Sequence, residues 1–573
     1  MDSRSAAQVL SQIAAFLELA GENRFKSRAY QMAARSLLAL GTDDLAPLLR
    51  SGELSKVRGL GPATLAVVRD LVETGESRYL EQLREATPEG LLELMGVPGL
   101  GVEKIHKLHQ ELGIASLADL ESAAQDGRLA NVKGMGPKMA RKILAGIAFS
   151  RDAAVFTLYP HAVAQANALL ASVRSHPHVA RAEIAGSIRR RREVIGDVDI
   201  VAACAWPEQV AQSFTRIAGV KSASGAGGFA TIRYIDGTKL DLYCVASADF
   251  AVAFWRTTGS SAHVQRVQER MTTRGMRLVG DSLVDSQDRA VVCDDEAAVY
   301  AAAGLPWIAP ELREDVGEVE AGAVGALPRL IEPEDLRGVL HCHSRYSDGK
   351  AGIAEMAEAA RKKGWSYIGI SDHSQAAFYA SGVSRELMLE QHDEIDALNA
   401  TLTGFRVLKG VEADILADGR LDYDEELLGR FDYVIASIHS RFKMDGHAMT
   451  ERVLHAMDDP HTTILAHPTG RLLLSRDAYA LDVEAVLQKA AEVGVAVEVN
   501  ADPKRLDLDW RHLRRAKELN VAIEIGPDAH SQAALDWTEL GVAMARKGWL
   551  ERGDVLNTGD ASDVVAFAKR RRQ

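Results

Sequence analysis

Cysteine is scarce in these 573 residues: there are four, Cys204, Cys244, Cys293 and Cys342. They lie far apart and form no Cys-x-x-Cys pair, which excludes a disulfide framework and a thiolate zinc site. Also missing is any run of about 20 apolar residues or a charged-then-apolar leader, so neither a membrane span nor a secretion signal is expected. Both absences fit a cytoplasmic protein. Nor is there an excess of positive charge, the formal net charge being -13. Taken whole, that argues against a nucleic-acid partner, but the charge is unevenly spread. Residues 131–280 hold 20 Lys and Arg against 10 Asp and Glu, whereas 311–573 hold 32 against 46. A basic middle joined to an acidic end fits nucleic-acid binding by part of the chain.

A hydrophobic content of 47% and a charged content of 26% are globular values, and the length suits about three to five domains. The first 150 residues are short helical patterns broken by three similar turns. They read "VRGLGPATLAVV" from Val57, "VPGLGVEKIHKL" from Val97 and "VKGMGPKMARKI" from Val132. Each pair of glycines (Gly59 and Gly61, Gly99 and Gly101, Gly134 and Gly136) lets the backbone turn tightly. The amides opening the next helix are then free to face an anion. These turns resemble helix-hairpin-helix motifs, a likeness that implies a grip on the DNA backbone without sequence readout. An array of purely structural helix–turn–helix units is the alternative, and the threefold recurrence weighs against it.

From about residue 151 the pattern changes to strands. "AEIAGSIRRRREVIGDVDIVAAC" holds two apolar strands around a basic loop. "ATIRYIDGTKLDLYCV" reads as a hairpin with Asp236-Gly237 as a two-residue turn. Asp197 and Asp199 stand at strand spacing, hence on one face, and Asp241 lies on the hairpin arm placed to pair with them. Three clustered carboxylates repel unless cations bind between them, and hard oxygen ligands suit Mg²⁺ or Mn²⁺. Two such ions activate an attacking 3′-hydroxyl and stabilise a pyrophosphate leaving group. Upstream, "GSIRRR" offers Gly186, the Ser187 hydroxyl and arginines for triphosphate oxygens. Strand-edge acids beside a solvated basic loop are the plainer alternative.

Gly186-Ser187, Asp197-x-Asp199 and Asp241 resemble the palm of family X DNA polymerases, within the nucleotidyltransferase superfamily. "TTGSSAHVQRV" from Thr257 is similar to the family's Thr-Gly-Ser nucleotide-binding turn, here Thr258, Gly259 and Ser260. "GLPWIAPELRED" from Gly304 resembles the end of its thumb. The resemblance implies that Asp197, Asp199 and Asp241 hold two Mg²⁺ or Mn²⁺ ions, and that Ser187 and Arg190 contact the nucleotide's phosphates. Departures bear on selectivity. Arg256 and Thr257 stand where many members have aromatics under the sugar, so discrimination against ribonucleotides is expected to be weak. Ala63 and Val67 stand where lyase-competent members carry lysines, so no Schiff-base chemistry is carried over.

Residues 313–335, "REDVGEVEAGAVGALPRLIEPED", read as an acidic, Gly-rich linker. After them, apolar strands alternate with helices and end in ligand-type residues. "VLHCH" ends in His341 and His343, with Asp348 beyond; "YIGISDH" ends in His373; "VLKGVEAD" carries Glu412. "YVIASIHS" carries His439, "TILAHP" His467, and "AIEIGPDAH" Asp528 and His530. "AVEVN" is a seventh strand without an obvious ligand. Active sites of βα barrels gather at the C-terminal ends of strands, where scattered core histidines would not concentrate. Imidazoles mixed with carboxylates suit Zn²⁺ or Mn²⁺.

This order resembles the polymerase-and-histidinol-phosphatase (PHP) domain, a distorted seven-stranded barrel. The likeness implies three metals. One is held by His341, His343, Glu412 and Asp528. A second is held by Glu412, His439 and His467, and a third by Asp348, His373 and His530. Metal-activated water attacking a phosphorus is the implied chemistry, with Glu412 and His439 at its centre. The fold class expected is therefore multidomain. Residues 1–85 and 86–150 are helical helix-hairpin-helix regions; 151–245 and 246–312 are an α+β nucleotidyltransferase palm and a thumb. Residues 336–573 are a distorted (β/α)7 barrel. The function implied is gap filling in DNA repair with a 3′–5′ exonuclease, 3′-phosphatase or abasic-site activity. The partners implied are gapped or primer–template DNA and deoxynucleoside triphosphates, with the protein a monomer. The competing reading is a small-molecule phosphatase whose N-terminal half binds DNA without polymerising.

Overall fold

The computed structural model describes residues 3–572 except 21, 23, 41, 43, 58, 76, 87–89, 96, 98 and 99. It divides into two compact units, Met1–Val155 and Phe156–Gln573.

The first unit is helical. Helix Ser3–Leu19 buries Leu10, Ile13, Ala14 and Leu17, an i, i+3, i+4, i+7 stripe, together with Leu37, Leu54 and Val68. A second core gathers Leu94, Ile105, Leu108, Leu120, Val132 and Ile143. Full burial of each such side chain contributes roughly 2–3 kcal/mol. The three glycine turns are built alike. Leu60 N donates to Val57 O at 3.1 Å, Leu100 N to Val97 O at 3.0 Å, and Met135 N to Val132 O at 3.0 Å. Gly59 and Gly134 sit third in their turns at φ +97° and +91°, the left-handed position of a type II turn. Gly99 lies outside the described residues. Gly61, Gly101 and Gly136 accept the first helical bonds, from Leu65, Ile105 and Ala140.

The second unit begins with a five-stranded sheet ordered Val179–Ile184, Val198–Cys204, Lys239–Val245, Phe229–Tyr234, Val220–Ala226. Val198–Cys204 and Lys239–Val245 run parallel, with Asp199 directly opposite Asp241. Helices Tyr159–Arg174 and Pro207–Phe214 cover the core of Ala166, Ile200, Ala202, Ile232, Leu240 and Leu242. The hairpin turn is one residue longer than expected. Tyr234 N donates to Thr238 O and Gly237 N to Tyr234 O, leaving Ile235, Asp236 and Gly237 as a three-residue loop. Gly237 at φ +90° takes the bulge position that such loops require. Helices Phe250–Thr258, Ser261–Thr273 and Glu296–Ala302 follow, around Trp255, Val267, Val299 and Tyr300.

Residues 313–335 are more than the linker their composition suggests. They form helix Glu318–Ala323, and Arg313 and Glu318 are fully buried. Glu318 accepts from His263 Nδ1 at 2.5 Å, and Arg313 pairs with Glu296. Burial of those charges is tolerated because each is paired, a pattern that composition does not reveal.

Beyond them all strand pairs are parallel and follow chain order. Gly338–Val339, Tyr367–Ile370 and Arg406–Lys409 form one sheet. Glu412–Asp414, Val434–Ser437, Thr462–Leu465, Ala496–Asn500 and Ile523–Gly526 form another. Gly410 and Val411 interrupt what sequence reads as one strand, so eight short strands replace the expected seven. Tyr433 packs against this point: a Cβ at Gly410 would come within 2.2 Å of its ring, and one at Gly369 within 2.0 Å of its hydroxyl. Isolated bridges His373–Glu412 and Cys342–Ala529 join the two sheets. Cys342 packs among Ile353, Met356 and Ile370, away from the histidines on either side of it. Among the described residues no helix is long and apolar enough to cross a membrane.

Candidate active sites

The first candidate site rests on a parallel strand pair and a tight turn. Asp241 Oδ2 and Asp197 Oδ2 both accept from Lys239 Nζ, at 2.7 and 2.9 Å. Thr231 donates to Asp241 Oδ1 at 2.6 Å. Burial, then the charges of Asp197 and Asp241, push the Asp199 carboxyl up to about 7. Carboxylates crowded in this way repel unless a cation lies among them, and here the Lys239 ammonium is that cation for Asp197 and Asp241. Gly186 is required here: at φ +60° its Cβ would lie 1.8 Å from Asp199 Oδ2. The Ser187 hydroxyl is buried without a hydrogen-bond partner.

Other expected nucleotide residues have protein partners. Arg190 donates to Thr258 O at 2.7 Å and to Glu314 at 3.2 Å. Thr258 is buried and accepts from Arg189, while Ser260 caps helix Ser261–Thr273 by accepting from His263 N. Gly259 lies so close to Val264 that a Cβ would meet it at 2.9 Å. Arg256 pairs with Asp281, and Trp255 is fully buried. In the first unit, a Cβ at Gly61, Gly101, Gly134 or Gly136 would meet nothing within 4 Å. Packing does not demand those four glycines; their effect is to leave the backbone edge open.

All nine metal-type residues of the C-terminal half converge. Four sets have ligand atoms within 4.8 Å of one another: His343, Asp348, His373 and His530; His341, Glu412 and His467; His341, His343 and Asp528; His373, Glu412 and His439. The partition differs in detail from that expected, because His373 Nδ1 also lies 2.8 Å from Glu412 Oε2. Glu412 is central: its Oε1 is 3.0 Å from His467 Nε2 and 3.3 Å from His439 Nε2. Although burial raises it, the imidazoles of His373, His439 and His341 hold the Glu412 carboxyl well below the usual range. Burial opposes protonation of His439, yet Glu412 and Asp414 lift it to about 9; Asp348 and Asp528 do the same for His530. Burial and neighbouring cations keep His343 and His467 neutral, each down at about 3.

The donor set fits divalent metals. His341 Nε2, both ring nitrogens of His343, His467 Nδ1 and Glu412 Oε2 are buried without hydrogen-bond partners. Orphaned donors of mixed imidazole and carboxylate type in one pocket are what such ions bind.

Sequence reasoning missed the residues behind the ligands. The strand without an obvious ligand supplies two of them. Glu498 accepts from His341 Nδ1 at 2.5 Å and from His467 N at 2.7 Å, and Asn500 donates to Asp528 at 3.1 Å. Asp414 accepts from His439 Nδ1 at 2.7 Å, and Arg505 lies 3.4 Å from Asp528. Polar residues at strand spacing in apolar strands, Glu412-x-Asp414 and Glu498-x-Asn500, were the available signal. At the rim Phe378 and Tyr379 are 86% and 65% exposed, and the Tyr379 ring is 5.5 Å from that of His439 and 5.9 Å from that of His373.

Comparison with known proteins agrees with this layout. Family models match for a helix-hairpin-helix domain over residues 1–77 and a SAM-like helix-hairpin-helix tandem over 91–148. Others match for a DNA polymerase beta thumb over 253–314 and a PHP domain over 340–502. The chain is 37% identical over 575 residues, all of both chains, to the DNA polymerase/3′–5′ exonuclease PolX of Bacillus subtilis (strain 168). The chain belongs to the family X DNA polymerases that carry a PHP domain. It is also 29% identical over 245 residues to a probable phosphatase of Thermoanaerobacter sp. (strain X514), covering 41% of this chain and 94% of that one. A probable phosphatase of Acetivibrio thermocellus is 31% identical over 188 residues, 31% of this chain and 72% of that one. As a member of family X, the chain carries its PHP region and its polymerase thumb on one polypeptide.

Proposed function

We propose that this chain is a DNA polymerase that fills short gaps and trims 3′ ends with a 3′–5′ exonuclease in its PHP region. The observation that carries the reading is the coexistence of two separate carboxylate-based sites. One is Asp197, Asp199 and Asp241, closed over by Gly186; the other is the nine-residue cluster around Glu412. The full-length likeness to a polymerase/exonuclease supports it, whereas the phosphatase relatives align with less than half of the chain.

In the palm, Asp197, Asp199 and Asp241 would hold two Mg²⁺ or Mn²⁺ ions, with Lys239 yielding its bonds to two of these acids. The ions supply activation of a 3′-hydroxyl and neutralisation of the pyrophosphate. The partnerless Ser187 hydroxyl is a free donor for a phosphate oxygen. Arg190 acts through Thr258 and Glu314, holding the turn that borders the site.

In the C-terminal half, Arg406–Lys409 and Glu412–Asp414 count as one interrupted strand, and the seven strands so counted would close as a distorted (β/α)7 barrel. His341, His343, Glu412 and Asp528 would hold one Zn²⁺ or Mn²⁺, Glu412, His439 and His467 a second, and Asp348, His373 and His530 a third, with His373 also in reach of the second set. The ions supply an activated water and polarise a phosphoryl oxygen. Glu498 and Asp414 orient His341 and His439 by accepting their second ring protons. Phe378 and Tyr379 offer exposed faces on which an unpaired terminal base stacks. DNA is held through the open glycine turns of the first unit, and the protein acts in the cytoplasm as a monomer.

The test is a gapped duplex with a labelled primer, supplied with deoxynucleotides and with Mg²⁺, Mn²⁺ or Zn²⁺ in turn. Extension and 3′ shortening are expected on one preparation. Hydrolysis of small phosphate esters with neither DNA activity would overturn the reading.

A further inference from the structure

We propose that Lys547, Trp510 and Arg511, which belong to helices of the C-terminal half, are positioning residues for nucleotide addition in the palm. The side chain of Lys547 is 0% exposed. A buried ammonium needs partners, and none of its acceptors belongs to the C-terminal strands or helices. Lys547 Nζ donates to Arg190 O at 3.0 Å, Glu311 O at 3.3 Å and Glu314 Oε1 at 2.8 Å. It also lies 4.7 Å above the Trp510 ring.

Those contacts end on the basic loop that follows Ser187. Glu314, held by Lys547, is the partner of Arg190 Nε at 3.2 Å and Arg192 Nη1 at 3.4 Å. Arg190 in turn donates to Thr258 O. The far end of the loop is tied as well. Glu193, nearly buried, accepts from Trp510 Nε1 at 3.0 Å and Arg511 Nη1 at 2.8 Å. Between the two anchors Arg191 adopts φ +56°, a left-handed conformation unfavourable for a residue with a Cβ. A loop in that conformation keeps its shape only where its surroundings impose it; Tyr159, Thr258 and Glu314 share that task with the groups from beyond residue 500.

The same loop begins with Gly186 and Ser187, packed against Asp199. Its shape therefore sets where the Ser187 hydroxyl stands relative to the palm carboxylates. The C-terminal half would thus have two roles, its own hydrolytic site and one wall of the nucleotide site. This rests on the palm being the site of nucleotide addition, so Asp199→Ala in the full chain is the control for that reading. A wild-type protein that does not extend primers, or an Asp199→Ala variant that does, would sink the palm assignment itself.

The test is steady-state primer extension by the full chain, with KM for deoxynucleotide and kcat measured separately. Misplacement of this order raises KM for deoxynucleotide by about tenfold to a hundredfold in Lys547→Met. Lys547→Arg, which keeps a cation, recovers most of it, and 3′ shortening by Lys547→Met stays at the wild-type rate. A merely structural lysine would lower the thermal midpoint without moving KM in the folded protein. Arg511→Ala removes a half-exposed member of the same clamp and guards against a Lys547→Met protein that fails to fold. An unchanged deoxynucleotide KM in Arg511→Ala and in any folded Lys547→Met would overturn the proposal.

Discussion

His341 and Glu498 meet in the interior of the C-terminal half, Nδ1 donating to Oε1 at 2.5 Å with both side chains fully buried. The contact fixes the ring and directs Nε2 of His341 toward Glu412 and Asp528, at 3.4 and 3.6 Å. Partners of this kind fix ring orientation and raise ligand basicity. Glu498→Ala is therefore expected to lower metal affinity about 10- to 100-fold without removing a ligand. Competition titration against a chromogenic chelator reads this directly, and wild-type affinity in the variant would show that Glu498 is only packing.

The two sites should be separable. Asp199→Ala is expected to abolish primer extension while 3′ shortening continues, and His439→Ala to do the reverse. Running both variants on one gapped substrate decides it, because loss of both activities in either variant contradicts independent sites.

A third expectation concerns metal and stability. Stripping the protein with a chelator leaves Glu412 facing the imidazoles of His373, His439 and His341, and Asp528 facing His341 and Arg505, in place of ions. Adding Mn²⁺ at 100 times its dissociation constant should stabilise the fold by about 2.7 kcal/mol per site. Calorimetry of the stripped protein, titrated with Mn²⁺, checks it. His341→Ala should show a smaller gain, and a midpoint indifferent to Mn²⁺ would count against the cluster as a metal site.

Glu296 makes a pH prediction. Burial raises its carboxyl, but the guanidinium groups of Arg189 and Arg313 more than offset that and hold it at about 2. A folded pKa below the usual 4.5 means the stabilisation is fully present above that value and is lost as pH falls toward 2. The shift corresponds to about 3 kcal/mol. Urea unfolding of wild type and Glu296→Gln across this window should converge as the acid side is reached. A constant difference between them would refute the assignment.

Phe378→Ala with Tyr379→Ala should reduce shortening of an unpaired 3′ end, since stacking is worth about 1–3 kcal/mol per base. A base-free phosphodiester should be cleaved at the wild-type rate. Equal losses on both substrates would mean that the aromatics support the metal cluster and not the base.

What sequence alone determined here was the list of chemical groups. Asp197-x-Asp199, Asp241 and the nine strand-end residues are legible because strand periodicity and parallel strands in chain order put such groups on one face and at one end. The three glycine turns are legible because φ above zero has few residue types to serve it. Folding decided what holds those groups. Glu498, Asp414 and Asn500 reach their partners through side-chain contacts between strands, and no spacing along the chain encodes which acid meets which imidazole. Lys547 and Arg190 O are 357 residues apart, and Arg313 and Glu318 looked like linker charges until their partners Glu296 and His263 closed over them. A charge is stable in the interior only beside its counter-charge, and only the folded chain brings the two together.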